Sequence, residues 1–252
     1  MNVLILGGTS EASALAAALA ERGIPALFSY AGRVAIPKTQ PLPTRVGGFG
    51  GVEGLTAFVA DNRITHLVDA THPFAEQMSC HAIAAAQRSG IPCLALTRPP
   101  WQPQAGDRWQ RVAGVEAAVE ALSGPAERIL LAIGRQQLAA FAAQPQHHYL
   151  LRLVDAPAVP PPLPHHRVIL ERGPFTLDGD LALLREHGIE RVVCKNAGGA
   201  GAIAKLSAAR RLGLPVVMIE RPALPSRQEV HAVEAVLSWL CHTSAPDTER
   251  GV

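Results

Sequence analysis

Near its start the chain reads Val3-Leu4-Ile5-Leu6-Gly7-Gly8-Thr9-Ser10-Glu11. The four apolar residues predict a buried strand, and the two glycines predict a tight turn. The stretch from about Glu11 to Arg22, closed by Gly23, predicts a helix. Ala26–Ser29 predicts the next strand. This strand–helix–strand unit is the building block of a parallel sheet flanked by helices.

The same alternation of short apolar runs with Ala/Leu-rich stretches continues to about residue 242 and predicts an α/β fold. We expect two domains, each a parallel sheet flanked by helices, with an active-site cleft between them. Further strands are predicted over residues 66–69, 92–96, 129–133, 149–154, 168–171, 191–194 and 216–219. Further helices are predicted over residues 53–62, 76–89, 116–122, 136–143, 180–187, 202–212 and 227–242.

Domain boundaries follow from length and from this series of elements. A chain of 252 residues is long enough for one large domain or two small ones, and two is the preferred interpretation. We expect an N-terminal domain over residues 1–125, a C-terminal domain over residues 126–242 and a flexible tail over residues 243–252. A proline-rich stretch, residues 156–164, predicts an extended connector because proline donates no backbone hydrogen bond.

Composition excludes several classes of function. With 48% apolar and 17% charged residues, the chain is too hydrophobic to be disordered. Only 4% of its residues are aromatic and its formal charge is +2, so we expect neither a nucleic-acid partner nor a membrane surface as partner. No apolar run reaches the roughly 18 residues of a membrane span, and no basic leader precedes the glycine turn. We therefore expect a cytoplasmic protein.

Ligands of open parallel sheets bind at the carboxyl ends of the strands, so the segments after each strand are the candidate sites. The glycine turn is one of them, because its backbone can approach a phosphate at the start of a helix. Its residues Gly8, Thr9, Ser10 and Glu11 are candidate nucleotide ligands. The motif lacks the third glycine of G-x-G-x-x-G. The alternative is a plain tight turn in which Ser10 caps the helix.

The second predicted strand ends in Ser29-Tyr30-Ala31-Gly32-Arg33, about twenty residues after the glycines, where an NAD site offers an acid to the ribose. No acid is present. The Ser29 hydroxyl and the Arg33 guanidinium suit a 2′-phosphate, so a dinucleotide bound here is expected to be NADPH. The alternative is that Arg33 is a solvated loop residue. The loop Gly47-Gly48-Phe49-Gly50-Gly51 indicates either close packing against a ligand or a need for positive φ angles, and it is not specific by itself.

Thr71 and His72 follow another predicted strand, in Asp69-Ala70-Thr71-His72-Pro73-Phe74-Ala75. A lone histidine is more often structural than catalytic, but this one lies at a strand's carboxyl end and is a candidate for direct chemistry. It has no second metal ligand three or four residues away. The four cysteines form no C-x-x-C pair. We therefore expect no metal site.

The second half of the chain offers an anion site. Lys195-Asn196-Ala197-Gly198-Gly199-Ala200-Gly201 places glycine-spaced backbone N–H groups and a lysine before a predicted helix. Arg172-Gly173-Pro174-Phe175 follows a neighbouring strand. The basic residues near predicted strand ends are together suited to a polycarboxylate, although for each one alone a solvated side chain is the favoured interpretation: Arg98, Arg135, Arg152, Arg172 and Arg221.

Together these segments, with Glu220-Arg221-Pro222, resemble the precorrin-6A reductase family of cobalamin biosynthesis. The resemblance spans roughly residues 1–240, and its most specific part is the run from Ala70 to Ala75. One departure is Ala197, where the family more often has serine before the glycine pair.

The resemblance implies two Rossmann-like domains and an enzyme in which NADPH delivers hydride to one carbon–carbon double bond of precorrin-6A, giving precorrin-6B. A cobalt-containing variant of the substrate belongs to the anaerobic route and is the alternative. The expected partner is therefore an acidic, tetrapyrrole-derived macrocycle. His72 and Lys195 are candidate proton donors, beside water or the substrate itself.

The residues expected at these sites form two sets. Those expected to bind the cofactor are Gly8, Thr9, Ser10, Glu11, Ser29, Arg33, Thr71, His72 and Phe74. Those expected to bind the substrate are Arg135, Gly173, Phe175, Lys195, Gly198 and Gly199.

Three other classes of protein compete with this interpretation. A short-chain dehydrogenase needs Tyr-x-x-x-Lys, but Val34 and Leu153 stand four residues after the two tyrosines. A non-enzymatic NADPH-sensing module has no evident need for the second anion site. A two-domain binding protein for anionic ligands needs no NADPH, so titration with the cofactor separates it from a reductase.

Overall fold

The structure, a computed structural model, describes residues 1–32 and 38–243. The chain divides into two compact units. Unit 1 comprises residues 1–99 and a return segment that begins at Ala223, and unit 2 comprises Pro100–Pro222. Each unit contains a six-stranded sheet, and every strand pair is parallel. The predicted α/β class, with two parallel sheets flanked by helices, is confirmed.

Elements are numbered along the chain. The strands of unit 1 are β1 (Val3–Leu6), β2 (Ala26–Tyr30), β3 (Thr44–Val46), β4 (His66–Asp69), β5 (Cys93–Leu96) and β12 (Glu229–Val230). Its helices are α1 (Ser10–Glu21), α2 (Gly51–Asp61), α3 (Glu76–Ser89) and α7 (Val233–Thr243). The sheet order is β3-β2-β1-β4-β5-β12, the doubly wound order of dinucleotide-binding folds.

The central strand of unit 1 is buried on both faces because helices cover both sides of the sheet. Val3 and Ile5 belong to a cluster that contains residues of α1 and α7. Leu4 and Leu6 belong to a second cluster with residues of α2 and α3. Successive side chains of a strand point to opposite faces, so the continuous apolar run of β1 supplies both cores.

The strands of unit 2 are β6 (Arg108–Val112), β7 (Arg128–Ala132), β8 (His148–Leu153), β9 (His166–Leu170), β10 (Arg191–Lys195) and β11 (Pro215–Ile219). Its helices are α4 (Val115–Glu120), α5 (Leu177–Glu186) and α6 (Ala204–Leu212), and a 3₁₀ segment spans Arg135–Ala143. The sheet order is β6-β11-β10-β7-β8-β9. One face of this sheet packs on α5 and α6.

In both sheets the strand order reverses at one point. In unit 1 the chain moves outward from β1 to β2 and β3, and then continues with β4 on the other side of β1. In unit 2 it moves from β7 to β8 and β9, and then continues with β10 on the other side of β7. Ligands of open α/β sheets bind outside the carboxyl ends of the strands at such a switch point. Each unit therefore has one preferred ligand edge.

The observed division differs from the expected boundary between residues 125 and 126. Strand β6 pairs with β11, so the chain from Pro100 onward belongs to unit 2. The return segment adds β12 to β5 and packs α7 on α1, which places it in unit 1. The cause is pairing between strands far apart in sequence, which a pattern of adjacent elements does not reveal.

Several predicted elements also differ from the structure. The helix predicted over 227–242 begins only at Val233, because Glu229–Val230 pairs with β5. The helix predicted over 136–143 is 3₁₀. Three strands, β3, β6 and β12, have no predicted counterpart, because their partly exposed residues form no apolar run. Thr243 closes α7, and the rest of the expected flexible tail lies outside the described residues.

The return segment is expected to stabilise unit 1 through its buried leucine. Leu240 of α7 is fully buried, so Leu240→Ala leaves a cavity and should lower the free energy of unfolding of unit 1 by about 2–5 kcal/mol. Urea unfolding followed by circular dichroism measures the change. Val159→Ala is the control, since Val159 is 75% exposed and its loss should change stability by less than about 0.5 kcal/mol. Equal midpoints for both variants would contradict the role of Leu240.

Candidate active site

The glycine turn of unit 1 joins the carboxyl ends of β1 and β4. Thr9 is the N-cap of α1, and its Oγ1 accepts a hydrogen bond from the Ala12 N–H at 3.1 Å. The same hydroxyl donates to the carbonyl of Ala70 at 2.8 Å. Thr9, and not Ser10, therefore caps the helix, and it fixes the turn to the end of β4 at the switch point of unit 1.

Glycine stands at the two positions of the turn for different physical reasons. A Cβ on Gly7 would lie 2.1 Å from the Phe28 ring, while the Gly7 N–H donates to the Ser29 carbonyl at 2.9 Å. Gly8 has φ +123°, and no atom lies within 4 Å of a Cβ placed on it. Gly7 is thus required for packing, whereas Gly8 borders open space beside the first turn of α1.

Glu11 lies in the first turn of α1, beside that open space. Ser10 Oγ donates to its Oε2 at 3.0 Å, and Arg98 Nη1 lies 3.4 Å from the same atom. Burial alone would raise the pKa of Glu11, but its backbone hydrogen bond, Arg98 and Ser10 together lower it. Glu11 is therefore a carboxylate whose charge Arg98 offsets, which reduces its repulsion of an anion at the helix start.

The serine at the end of β2 is bonded by an arginine of the neighbouring strand. Ser29 is buried, and its Oγ accepts a hydrogen bond from Arg45 Nη1 at 2.8 Å. Arg45 comes from β3 and lies opposite Ser29 in the register. Arg33, expected at this position, lies outside the described residues. The sequence interpretation missed Arg45, although Thr44-Arg45-Val46 between a proline and two glycines is a short strand signal.

The loop after β4 is held by one carboxylate. Asp69 Oδ1 accepts from the Thr71 N–H at 3.1 Å and from its Oγ1 at 2.7 Å. Asp69 Oδ2 accepts from Ser79 Oγ at 2.6 Å and from Arg227 Nη1 at 2.8 Å. Asp69 thus connects the end of β4 to α3 and to the return segment. The sequence analysis did not identify Asp69 as a site residue, because an acid at the end of a strand is not specific for any one role.

This loop determines the protonation pattern of His72. The Phe74 N–H donates to His72 Nδ1 at 3.2 Å, and the Ala75 N–H donates to the His72 carbonyl at 2.7 Å. Because Nδ1 accepts, a neutral His72 carries its proton on Nε2. The Phe74 ring lies 5.9 Å from the His72 ring. The His72 ring is exposed and lies at the carboxyl-end side of β4.

In unit 2 the loop after β10 is built on a tryptophan. Asn196 is buried, and its side chain bonds both backbone groups of Trp101, at 2.8 Å to the N–H and at 3.1 Å to the carbonyl. Trp101 Nε1 donates to the Gly199 carbonyl at 2.8 Å. Lys205 is also buried, with its ammonium 4.9 Å from the centre of the Trp101 ring. Lys205 therefore supports the loop from within the fold.

Arg221 holds the same loop from its other side. Its Nε donates to the Asn196 carbonyl at 3.0 Å, and its Nη2 donates to the Ala197 carbonyl at 3.1 Å. Gly198 and Gly199 have φ +72° and +77°, a conformation that favours glycine. The loop is thus fixed with the carbonyls of residues 196 and 197 turned toward Arg221, next to the Lys195 end of β10.

The loop after β9 contacts this glycine loop. The Phe175 N–H donates to the Gly201 carbonyl at 3.2 Å, so Gly173, Phe175 and the glycine loop form one surface. Below the Phe175 ring lies the Arg152 guanidinium, at 4.4 Å. Arg152 is 6% exposed and pairs with Asp180 at 2.6 Å. Arg152 therefore supports Phe175 and is not a cation available to a polycarboxylate.

The other predicted basic residues of unit 2 differ in their position relative to the switch point. Arg135 is exposed and begins the 3₁₀ segment after β7, on the switch-point side of unit 2. Arg172 is exposed, with Asp155 at 3.7 Å. Lys195 ends β10, the other strand of the switch point. Of the predicted basic residues in unit 2, Arg135 and Lys195 thus flank the preferred ligand edge.

Among the described residues, no cluster of three or more His, Cys, Asp or Glu side chains has the arrangement of a metal site. No helix in the described ranges has the length and hydropathy needed to cross a membrane.

The packing of Gly7 yields a direct test. Gly7→Ala forces the buried Phe28 ring to move and should lower the free energy of unfolding by about 1–3 kcal/mol. Thermal unfolding measures the effect. Gly124→Ala is the matched control, since a Cβ at Gly124 meets nothing within 4 Å, and it should change stability by less than about 0.5 kcal/mol. An unchanged melting temperature for Gly7→Ala would show that Phe28 gives way without cost.

Comparisons with known proteins agree along the whole chain. The family model described as precorrin-6x reductase CbiJ/CobK matches residues 2–241. A precorrin-6A reductase from Rhodobacter capsulatus is 56% identical over 251 residues, covering 100% of this chain and 99% of that protein. A cobalt-precorrin-6A reductase from Priestia megaterium is 32% identical, covering 88% of this chain and 91% of that protein.

A solved structure extends the agreement to three dimensions. The structure named CobK precorrin-6A reductase has a TM-score of 0.93 and 55% identity, and it covers 100% of both chains. Because both chains are covered in full, the match includes both six-stranded sheets. The chain therefore belongs to the precorrin-6x reductase family CbiJ/CobK and is an oxidoreductase.

Proposed function

We propose that this chain catalyses the NADPH-dependent reduction of one carbon–carbon double bond of precorrin-6A, giving precorrin-6B in cobalamin biosynthesis. The observation that carries the proposal is the 56% identity to a precorrin-6A reductase over 100% of the chain. The switch-point edge of unit 1, with its glycine turn and helix start, supports the nucleotide part of the proposal. We further propose that the enzyme works in the cytoplasm.

The residues of unit 1 fit a dinucleotide. Open space borders Gly8, and the first N–H groups of α1 lie beside it, which suits a pyrophosphate. No acid stands at the end of β2, where Ser29 and Arg45 lie instead. Ser10 and Glu11 border the same helix start, and Thr71, His72 and Phe74 follow the neighbouring strand. When bound, NADPH supplies the hydride.

The reduction also consumes a proton, for which we propose His72 or Lys195. His72 follows β4 and would donate its proton as the imidazolium, because the N–H of a neutral imidazole is too weak an acid. Lys195 offers an ammonium group at the switch point of unit 2. The hydride and the proton together add two hydrogen atoms to the double bond.

The switch-point edge of unit 2 supports binding of an acidic macrocycle. Arg135 and Lys195 provide positive charge for its carboxylates. Gly198, Gly199 and Gly173 let the backbone come close to a large planar ligand, and Phe175 adds an apolar ring held in place by Arg152. The metal-free macrocycle is preferred to the cobalt form because the relatives named for the two substrates are 56% and 32% identical to this chain.

Anaerobic incubation of the purified protein with precorrin-6A tests the proposal. NADPH and NADH are compared, and both the loss of reduced-nicotinamide absorbance and the mass of the product are followed. We expect substrate-dependent oxidation of NADPH and a mass gain of two hydrogen atoms. A preference for NADH would overturn the choice of cofactor but retain the enzyme.

If neither cofactor is consumed, cobalt-precorrin-6A is the next substrate. Reduction of that compound alone would replace the metal-free substrate with the cobalt form. Failure with both would contradict the reductase and favour the NADPH-sensing module or the binding protein for anionic ligands. A cofactor titration without substrate then separates these two, because only the sensor binds NADPH.

Lys195 is expected to serve the macrocycle more than the cofactor. Lys195→Ala should lower kcat/KM for precorrin-6A by about tenfold or more, the size expected when a charged hydrogen bond is lost. The Kd for NADPH should stay within about threefold, because no charge of the cofactor site is removed. Arg185→Ala on the exposed surface of α5 is the control. Unchanged kcat/KM in Lys195→Ala would remove this residue from the site.

A further inference from the structure

Arg45 lies beside the end of β2. It is the middle residue of β3, and its Cα pairs in register with Ser29, one residue before the end of β2. Its side chain bonds the Ser29 hydroxyl directly, at 2.8 Å. In doubly wound sheets the ribose nearest the adenine lies at the end of the second strand. Arg45 is therefore a cation beside the place where that ribose would bind.

The partners of Arg45 hold its guanidinium without neutralising it. Nη1 donates to Ser29 Oγ and to the Gly47 carbonyl at 2.9 Å, and Nη2 donates to the Gly48 carbonyl at 3.0 Å. The guanidinium carbon lies 3.9 Å from the centre of the Phe49 ring. A second ring, that of Phe58, has its centre 5.1 Å from the same carbon. These neutral oxygens and two aromatic rings orient the group and leave its charge in place.

The missing counter-ion distinguishes Arg45 from other partly buried arginines of this protein. The structure gives each of four such residues a carboxylate partner: Arg152 with Asp180, Arg191 with Glu127, Arg210 with Asp107 and Arg227 with Asp69. Within residues 1–32 and 38–243, Arg45 forms no ion pair with an acid. Burial lowers the pKa of its guanidinium, which nevertheless stays charged at neutral pH. An oriented, uncompensated cation is suited to an incoming anion.

The donor count leaves room for that anion. A guanidinium has five N–H donors in a planar fork, and three of them are used by the oxygens of Ser29, Gly47 and Gly48. Among the described residues, the Nε–H and one Nη2–H have no protein acceptor. Gly48 is exposed, with nothing within 4 Å of an added Cβ. The fork is thus held at an open surface.

We infer that Arg45 binds the 2′-phosphate of NADPH and makes this chain select NADPH over NADH. The inference rests on the proposed function, which names the cofactor but not the residue that binds its 2′-phosphate. Arg45 then takes the place that an acid occupies in NAD-binding sheets, where it bonds the ribose hydroxyls. Ser29 acts as its positioning partner, because the Ser29 hydroxyl fixes one nitrogen of the fork.

Binding of NADPH and NADH to Arg45→Met tests the inference without relying on turnover. Titration followed by reduced-nicotinamide fluorescence gives both Kd values. We expect the Kd for NADPH to rise about tenfold or more, as for loss of a charged hydrogen bond, and the Kd for NADH to change less than about threefold. 2′,5′-ADP should displace NADPH from the wild type far better than 5′-AMP, and this difference should disappear in the variant.

Two controls accompany the variant. Arg88→Met removes an arginine of the same unit that pairs on the surface with Glu53, and it should leave both Kd values unchanged. Arg45→Lys keeps the charge but not the planar fork, so its Kd for NADPH should lie between those of the wild type and Arg45→Met. If Arg45→Met fails to fold, Arg45→Lys carries the test, and an unchanged preference for NADPH in it would overturn the bidentate reading of the phosphate.

The remaining outcomes are distinct. Equal weakening of NADPH and NADH in Arg45→Met would mean that Arg45 only shapes the glycine loop, which overturns the inference and leaves the proposed function standing. Unchanged Kd values for both cofactors in Arg45→Met would likewise overturn the inference and leave the proposed function standing. A wild type that binds NADH as tightly as NADPH would overturn the cofactor of the proposed function, and the inference with it.

Discussion

The buried carboxylate of Asp69 is the interaction on which the ligand edge of unit 1 depends. A charged group with 4% exposure is costly unless it is paired and hydrogen-bonded. Asp69 meets this requirement with two bonds from Thr71, one from Ser79 and one from Arg227. Because these donors come from a loop, a helix and the return segment, one desolvated charge aligns three parts of the chain. The position of His72 follows from that alignment.

Both units have a candidate ligand site at the switch point of their sheet, but different groups form the two sites. In unit 1 the switch point is lined mainly by backbone, because Gly8 leaves space and Thr9 ties the turn to β4. In unit 2 the corresponding loop rests on side chains, with Trp101 beneath it and Arg221 beside it. Backbone N–H groups suit a phosphate of fixed geometry, whereas spaced cations suit carboxylates spread around a large ring. The contrast matches the two ligands proposed for the reaction.

Sequence patterns predicted the parts of the fold that depend on local apolar runs. Strands β1, β4 and β10 were found because their residues are buried and continuous in sequence. The patterns failed for β3 and β6, whose exposed residues carry no such signal. They also failed for the arginines, because charge alone does not distinguish Arg152, which pairs with Asp180, from Arg45, which has no acidic partner among the residues that the structure describes. That distinction arises from pairing between distant segments. The site residues predicted by resemblance remain predictions until ligand binding is measured.

The return segment also has a consequence for synthesis of the chain on the ribosome. Unit 2 is a continuous stretch, whereas unit 1 needs residues from both ends of the chain. Residues emerge from the amino terminus onward at about 5–20 per second, so unit 2 is complete while unit 1 still lacks β12, α7 and the Arg227 partner of Asp69. During that interval β5 is an unpaired edge strand, open to pairing with another chain. Unit 2 can therefore fold before unit 1, and the free edge of β5 is the part that needs protection until β12 has been synthesised.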